Sequence, residues 1–348
     1  MPPVTRIPLA ENARLVLAGS VGSSERILRR LVENQLNVVG VLGLAQDASQ
    51  RVSGYSHLAT IAADHGLPYR DFIRINDPEV VAQVAAWAPD LFFVVGLSQI
   101  VRPALLTKPA IGCVGFHPTR LPRGRGRAPI AWLALEPQMA AATLFLMDEG
   151  ADSGPVVAQH PFAVPPGAYA SDVLELLDEA IDGAVAEIAQ QIRNKEIVAL
   201  EQDGGAATWY GKRGPEDGRI DWAVSAEEIC ALVRATSHPH PGAFTYLGSQ
   251  RLRVWGATVS DWPGRGVVGR IVEQLESGLV VQAGTGSVLI SDFTVEAPTG
   301  LPPLEPRVGS KLGIDAEFEI ILLKEQLRDL EASVRRMEAL IEQGGGQL

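Results

Sequence analysis

Cysteine is nearly missing from this chain: two residues in 348, Cys113 and Cys230, far apart and each in apolar surroundings. They form neither a disulfide framework nor a metal-binding motif, so a reducing cytoplasm is the expected compartment. Long apolar runs are missing as well, and none approaches the roughly 20 residues of a membrane span. The opening MPPVTRIPLAENARLVLAG has no basic head followed by an apolar stretch and a small-residue cleavage site, so no secretory leader is expected. Positive charge is in deficit: 30 Lys and Arg stand against 41 Asp and Glu, a formal net charge of −11. Such a chain is poorly matched to non-specific nucleic-acid binding, which rests on neutralising phosphates. What remains, 46% apolar and 20% charged residues, is ordinary globular composition rather than disorder. The length predicts two domains and an appendage rather than one core.

Against that acidic background, residues 115–129 (GFHPTRLPRGRGRAP) gather four arginines, three glycines and three prolines around His117. The glycines and prolines exclude a helix, and Arg120, Arg123, Arg125 and Arg127 form a focused anion-attracting patch. The competing reading pairs these arginines with Glu136, Asp148 or Glu149 to hold the loops together.

The segments before this loop read as strand, helix, strand. RLVLAG (14–19) is a short apolar run, SERILRRLVENQ has helical spacing, and NVVGVLGL reads as a second buried strand. Further helices are expected near 56–65 and from Asp77, where Pro78 suits a first turn. LFFVVGL (91–97) and IGCVGFH (111–117) complete the pattern, which implies an α/β fold with a parallel sheet. In such a sheet, ligands sit beyond the carboxyl ends of the strands, and His117 stands at one of them. The glycines of GSVGSS (19–24) do not have G-x-G-x-x-G spacing; a tight turn capped by Ser23 or Ser24 is the better reading.

A helix over 171–193 precedes a polar, glycine-rich crossing at 201–222. In SAEEICALVRAT, Ser225 and Glu228 have the spacing of a capping box. Short alternating runs between glycine turns then predict a small antiparallel barrel or sandwich. The expected domains are 1–203, 204–305 and a linker with a tail, 306–348. In the tail, Ile320, Leu323, Leu327, Leu330, Val334, Met337 and Ile341 alternate spacings of three and four. That narrow seam predicts a coiled coil over 315–343 joining two copies of the chain, against the alternative of an amphipathic helix lying on the body of the protein.

Downstream of the arginine loop, ATLFLMD (142–148) reads as a strand and DEGADSGP (148–155) as a loop with two glycines and three acids. If its strand neighbours the one ending at His117, Asp152 can reach that histidine. A carboxylate beside an imidazole holds one tautomer and favours the charged ring, a pair suited to proton shuttling. A serine hydrolase would need a G-x-S-x-G elbow, which is absent, and the other histidines are too scattered for a metal site.

His117-Pro-x-x-Leu121-Pro122, Arg125-Gly126-x-Ala128-Pro129 and Met147-Asp148-x-Gly150-x-Asp152-x-Gly154-Pro155 resemble the 10-formyltetrahydrofolate-dependent formyltransferase family. ATWYGKR, GRIDW and HPHPGAF continue the resemblance, which spans residues 14 to about 295 and is closest in motif to members acting on sugar nucleotides. It implies a Rossmann-like sheet followed by an OB-like barrel, and transfer of a formyl group from 10-formyltetrahydrofolate to a primary amine. By the same resemblance, His117 would stabilise the developing oxyanion and shuttle protons, with Asp152 holding it. Thr119, Arg120, Leu121 and Pro122, the backbone of Leu97, Ser98, Gln99 and Ile100, and Asp148 and Gly150 would meet the folate. Arg125 and Arg127 would face an anionic acceptor. One departure stands out: the family pattern is Asn-x-His, and Gly115 occupies the asparagine's place. Ser98, Gln99 or a freed backbone amide would then supply the missing oxyanion donor, the glycine would admit a bulkier acceptor or acyl carrier, or the reaction would be lost. The implied acceptor is a small, anionic metabolite amine, most simply on a nucleotide-linked amino sugar or a hydroxamate-siderophore precursor. The alternatives are a methionyl-tRNA acceptor and a non-catalytic folate-binding role.

Overall fold

A computed structural model of the chain describes residues 3–50, 52–314 and 316–344. The first half is built from β1 (Val4–Pro8), β2 (Leu15–Gly19), α1 (Gly22–Glu33), β3 (Val38–Leu44), α2 (Ala59–Asp64), β4 (Tyr69–Phe72), α3 (Pro78–Trp87), β5 (Leu91–Val95), α4 (Pro103–Leu106) and β6 (Gly112–His117). It continues through β7 (Arg125–Gly126), α5 (Pro129–Leu135), β8 (Met139–Leu146), β9 (Val156–Ala163), α6 (Ala170–Arg193), β10 (Glu196–Leu200) and β11 (Trp209–Tyr210). Nine strands make one sheet in the order β1-β10-β9-β8-β6-β5-β2-β3-β4. Every residue of β2 and β5 is buried, as expected for strands rich in Leu, Val and Phe that are covered on both faces.

The sheet is mixed rather than wholly parallel. β6, β5, β2, β3 and β4 are parallel neighbours, whereas β6–β8, β8–β9, β10–β9 and β1–β10 are antiparallel. The direction reverses at the connection after His117, which carries β7 and α5 and returns the chain as β8 beside β6.

Two helices on one side of this sheet are locked by charge as well as by packing. α6 buries Val173, Leu177, Ile181, Ala184, Ile188 and Ile192 at spacings of three and four. Its Asp182 accepts bidentate hydrogen bonds from both Arg26 and Arg30 of α1. At the start of α1, neither Ser23 nor Ser24 is the cap: Val21 is the N-cap residue. The Ser24 hydroxyl instead accepts from the amides of Ser20 and Val21 and donates to the carbonyl of Val95, tying the turn after β2 to the end of β5.

The second half contains α7 (Ala226–Thr236), β12 (Ala243–Leu247), β13 (Gln250–Ser260), β14 (Ile271–Leu275), β15 (Gly278–Gln282), β16 (Ser287–Glu296) and α8 (Ala316–Gly344). Ser225 and Glu228 form the reciprocal capping box of α7. The five strands order as β12-β13-β16-β15-β14, and Lys311 and Leu312 bridge to Arg270 and Leu247, one beside each edge strand. Residues up to Gly218 together with Cys230–Ala243 make one compact unit; Arg219–Ile229 and residues from Phe244 onward make the other. Along α8, Ile320, Leu323, Leu327, Leu330, Val334 and Met337 are all exposed, at 42–61%. The seam's last position, Ile341, has a side chain outside the described residues, as does Asp315 at the start of the predicted coil. Among the described residues, no helix is long and apolar enough to cross a membrane.

Candidate active site

β6 delivers His117 to the carboxyl edge of the sheet, where only 5% of the residue is exposed. The chain then turns sharply. Thr119 Oγ1 donates to the Arg123 carbonyl at 2.9 Å, and the amide of Leu121 donates to the Thr119 carbonyl at 2.9 Å. β8 supports this turn from below: Thr143 Oγ1 donates to the Thr119 carbonyl at 2.7 Å, and Gln159 of β9 donates to the Leu121 carbonyl at 3.1 Å. The returning strand thus shapes the loop that surrounds the histidine.

The imidazole lies between two oxygen acceptors. Its Nε2 sits 2.7 Å from the carbonyl of Gly124, to which it donates, and its Nδ1 lies 3.6 Å from Asp152 Oδ2. The second contact is an ion-pair distance rather than a hydrogen bond. Asp152 has φ +52°, a left-handed conformation uncommon outside glycine, and its Oδ2 also accepts from the amide of Gly126 at 2.8 Å. Gly126 is required where it stands: its φ is +108°, and a Cβ there would lie 2.5 Å from the Tyr210 carbonyl oxygen. β7 pairs with β11 in parallel, setting Arg125 opposite Trp209 and Gly126 opposite Tyr210.

The remaining expected residues divide into inward and outward groups. Arg125 is buried, and its Nε and Nη2 both donate to Gln202 Oε1, with its guanidinium 5.8 Å from the Trp209 ring centroid. Arg120 and Arg127 are exposed; the amide of Arg127 donates to the Tyr210 carbonyl. Asp148 is committed to its own loop, accepting from the amide of Gly150 and from Ser153 Oγ. None of Glu136, Asp148 and Glu149 forms the ion pair with Arg125 that a purely loop-holding role would have used; a neutral amide takes that place. After β5, the Gln99 amide bridges Ile73 and Ile75, Ser98 is exposed, Leu97 packs against the core, and Ile100 is 84% exposed.

Gly115 sits opposite Phe145 in the β6–β8 ladder. A Cβ at this position would lie 2.6 Å from Phe145 Cζ and 3.0 Å from Met147 Cγ, so those two side chains fill the room another residue would need. Burial pushes the Cys113 thiol up to about 12, which keeps it protonated and removes it as a nucleophile. Gln202, Thr143, Gln159 and Phe145 shape the site without belonging to any family motif, whereas Thr208, whose Oγ1 accepts from the Gly124 amide at 2.9 Å, lies in the ATWYGKR stretch.

Residues 13–182 match the family described as formyl transferase, and residues 212–299 match the formyl transferase C-terminal domain. A methionyl-tRNA formyltransferase of Moorella thermoacetica is 33% identical over 227 residues, 65% of this chain and 73% of that one. HypX from Aquifex aeolicus, solved in complex with tetrahydrofolic acid, superposes with a TM-score of 0.60 at 18% identity, over 82% of this chain and 44% of its own length. The N-formyltransferase from Helicobacter canadensis, solved with folinic acid and dTDP-3-aminofucose, superposes with a TM-score of 0.57 at 16% identity, over 80% of this chain and 98% of that one.

Proposed function

The chain belongs to the formyltransferase family and is a folate-dependent formyltransferase; we propose that it transfers the formyl group to a primary amine on a small, anionic acceptor, with His117 and Asp152 carrying the chemistry. The observation that carries this reading is the 3.6 Å approach of Asp152 Oδ2 to His117 Nδ1 at the end of β6. In the same reading, residues 1–203 are the catalytic domain, 204–305 an OB-like barrel, and 306–348 a linker and coiled coil that joins two copies of the chain.

The formyl donor, 10-formyltetrahydrofolate, supplies an activated one-carbon unit. The residues present suit it: Ile100 offers an exposed apolar surface on the loop after β5, where a pterin ring would find a face to cover. Leu97, Ser98, Gln99 and Ile100 would hold the ring, Thr119, Arg120, Leu121 and Pro122 its extension, and Asp148 and Gly150 would also meet the folate. Nδ1 of His117, the ring nitrogen not committed to Gly124, would accept a proton from the attacking amine, and the ring so charged would face the oxyanion. Asp152 would offset that charge and keep the ring from turning. Arg127 is free to meet an anionic acceptor. Arg125 would serve the same acceptor from beneath, behind the exposed Trp209 ring whose centroid lies 5.8 Å from its guanidinium.

The acceptor is most simply a nucleotide-linked amino sugar, the class held by the Helicobacter canadensis protein. The second reading, a methionyl-tRNA acceptor, draws on the Moorella thermoacetica relative and is opposed by the net charge of −11. Incubating the protein with 10-formyltetrahydrofolate and either dTDP-3-aminofucose or methionyl-tRNA, with product mass as the readout, separates the two. Folate binding with no formylated product from a broad panel of amines would establish the non-catalytic reading that Gly115 leaves open.

A further inference from the structure

Gln202 lies just beyond β10, in a polar stretch that no motif marks, yet its amide is fully used. Oε1 accepts from Arg125 Nε at 3.2 Å and Nη2 at 2.8 Å, and Nε2 donates to the carbonyls of Asp152 at 2.9 Å and Gly154 at 2.7 Å. Those contacts join segments 77, 50 and 48 residues away in sequence. They also close a circuit. Arg125 is followed by Gly126, whose amide donates to Asp152 Oδ2; the carbonyl of Asp152 returns to Gln202. The carboxylate facing His117 is therefore held from both its side chain and its backbone, at a residue whose backbone is left-handed.

We propose that Gln202 is a positioning residue for the catalytic pair: its amide clasps the arginine loop to the Asp152 loop and so sets the Asp152–His117 distance. The proposal rests on the reading of His117 and Asp152 given above. It assigns the two ends of the amide separate tasks, the oxygen holding Arg125 and the nitrogen holding Asp152. A glutamate at 202 separates those tasks. Its carboxylate would bind Arg125 at least as well, as an ion pair. Its second oxygen, however, would face two carbonyl oxygens and drive the Asp152 loop away.

The test uses the full chain with Gln202→Glu and Gln202→Met, beside His117→Asn and Asp152→Asn. Turnover is followed as formyl loss from 10-formyltetrahydrofolate, to the best acceptor amine or to water. The ring-nitrogen NMR shifts of His117 are recorded without any ligand, its signal assigned by its disappearance in His117→Asn. Both Gln202 variants should lower kcat by about 10²-fold, the scale of an ångström-level misplacement. KM for the donor should hold, and the His117 ring shifts should move in the direction seen in Asp152→Asn. A Gln202→Glu protein with wild-type kcat and unmoved His117 shifts would overturn the proposal, because Gln202 would then serve only Arg125. Should Gln202→Met fail to fold, Gln202→Glu carries the test alone. Wild-type turnover in His117→Asn and Asp152→Asn would instead bring down the catalytic reading, while the ring shifts would still report whether Gln202 positions Asp152.

Discussion

Between β6 and α5 the chain buries polar side chains, whereas along α8 it exposes apolar ones. In the loop, His117, Thr119 and Arg125 are buried, and each meets an oxygen: the nearby carbonyls of Gly124 and Arg123, and the side-chain amide oxygen of Gln202, 77 residues away in sequence. In the helix, six seam residues remain 42–61% exposed. Both arrangements are costly when left alone. The loop meets its cost inside the molecule, through hydrogen bonds that also fix geometry. The helix has no such partner among the described residues. In the proposed reading, one region serves chemistry and the other assembly.

The harshest way to break the loop's side of this contrast is to remove its base. His117→Ala is expected to lower kcat by about 10²- to 10⁴-fold, the range for a positioned acid–base group, with folate binding nearly intact. Steady-state turnover and a folate titration on the same preparation check both halves. Full activity in this variant would dismiss the pair as catalytic. On the helix side, Leu327→Lys with Leu330→Lys places charge in the seam of the intact chain. The expected result is a halving of the mass seen by light scattering, with the unfolding midpoint of the body unchanged. A protein that is already monomeric, or one that stays dimeric after the change, would refute the coil.

A third test sharpens the comparison at Gly115, the strand position where the family pattern that the sequence resembles has asparagine. An asparagine at Gly115 must displace Phe145 and Met147, so Gly115→Asn alone should destabilise by about 1–3 kcal/mol, as overpacking does. Combining it with Phe145→Val should recover part of that loss, giving a coupling of about 0.5–3 kcal/mol in a double-mutant cycle measured by urea unfolding. Strict additivity would show that the aromatic ring does not hold the glycine in place. Any gain of turnover belongs to the double variant, because only there does the amide have room.

How far such features can be read from the residues alone depends on how local their cause is. LFFVV announces β5 because five consecutive apolar residues need burial on both faces. His117 and Asp152 are visible as a strand end and a glycine-bearing loop, and their proximity requires only that two strands be neighbours. β1 is harder to see, since VTRIP is largely exposed and gains its order only by pairing with β10. β9 hides its alternation behind His160 and Pro161. The antiparallel return of β8 is not marked by the residue pattern, since the connection from His117 to Met139 is long enough for either direction. Gln202 is least legible, because its role consists of hydrogen bonds to groups tens of residues away. The same holds for Phe145, whose contact with Gly115 is a matter of cross-strand register.

The smallest effect expected concerns a histidine that has no part in the chemistry and contrasts with His117 for that reason. His240 is held by the Ala235 carbonyl, 2.9 Å from its Nδ1. Burial pushes its ring below the ordinary histidine range, the carbonyl partly opposes this, and the charge of Arg213 adds to the lowering. Below the unfolded value of about 6.5, the unfolded chain then binds a proton that the folded chain refuses. The stability this group contributes is thus present above pH 6.5 and is lost as pH falls through the lower folded value. Each unit of depression corresponds to about 1.4 kcal/mol at most. His240→Asn keeps a neutral donor for the carbonyl but cannot take up the proton. Urea unfolding at pH 7.5 and 5.0 should therefore show a smaller acid loss for this variant than for the unaltered protein. Equal losses in the two proteins would place the acid sensitivity elsewhere.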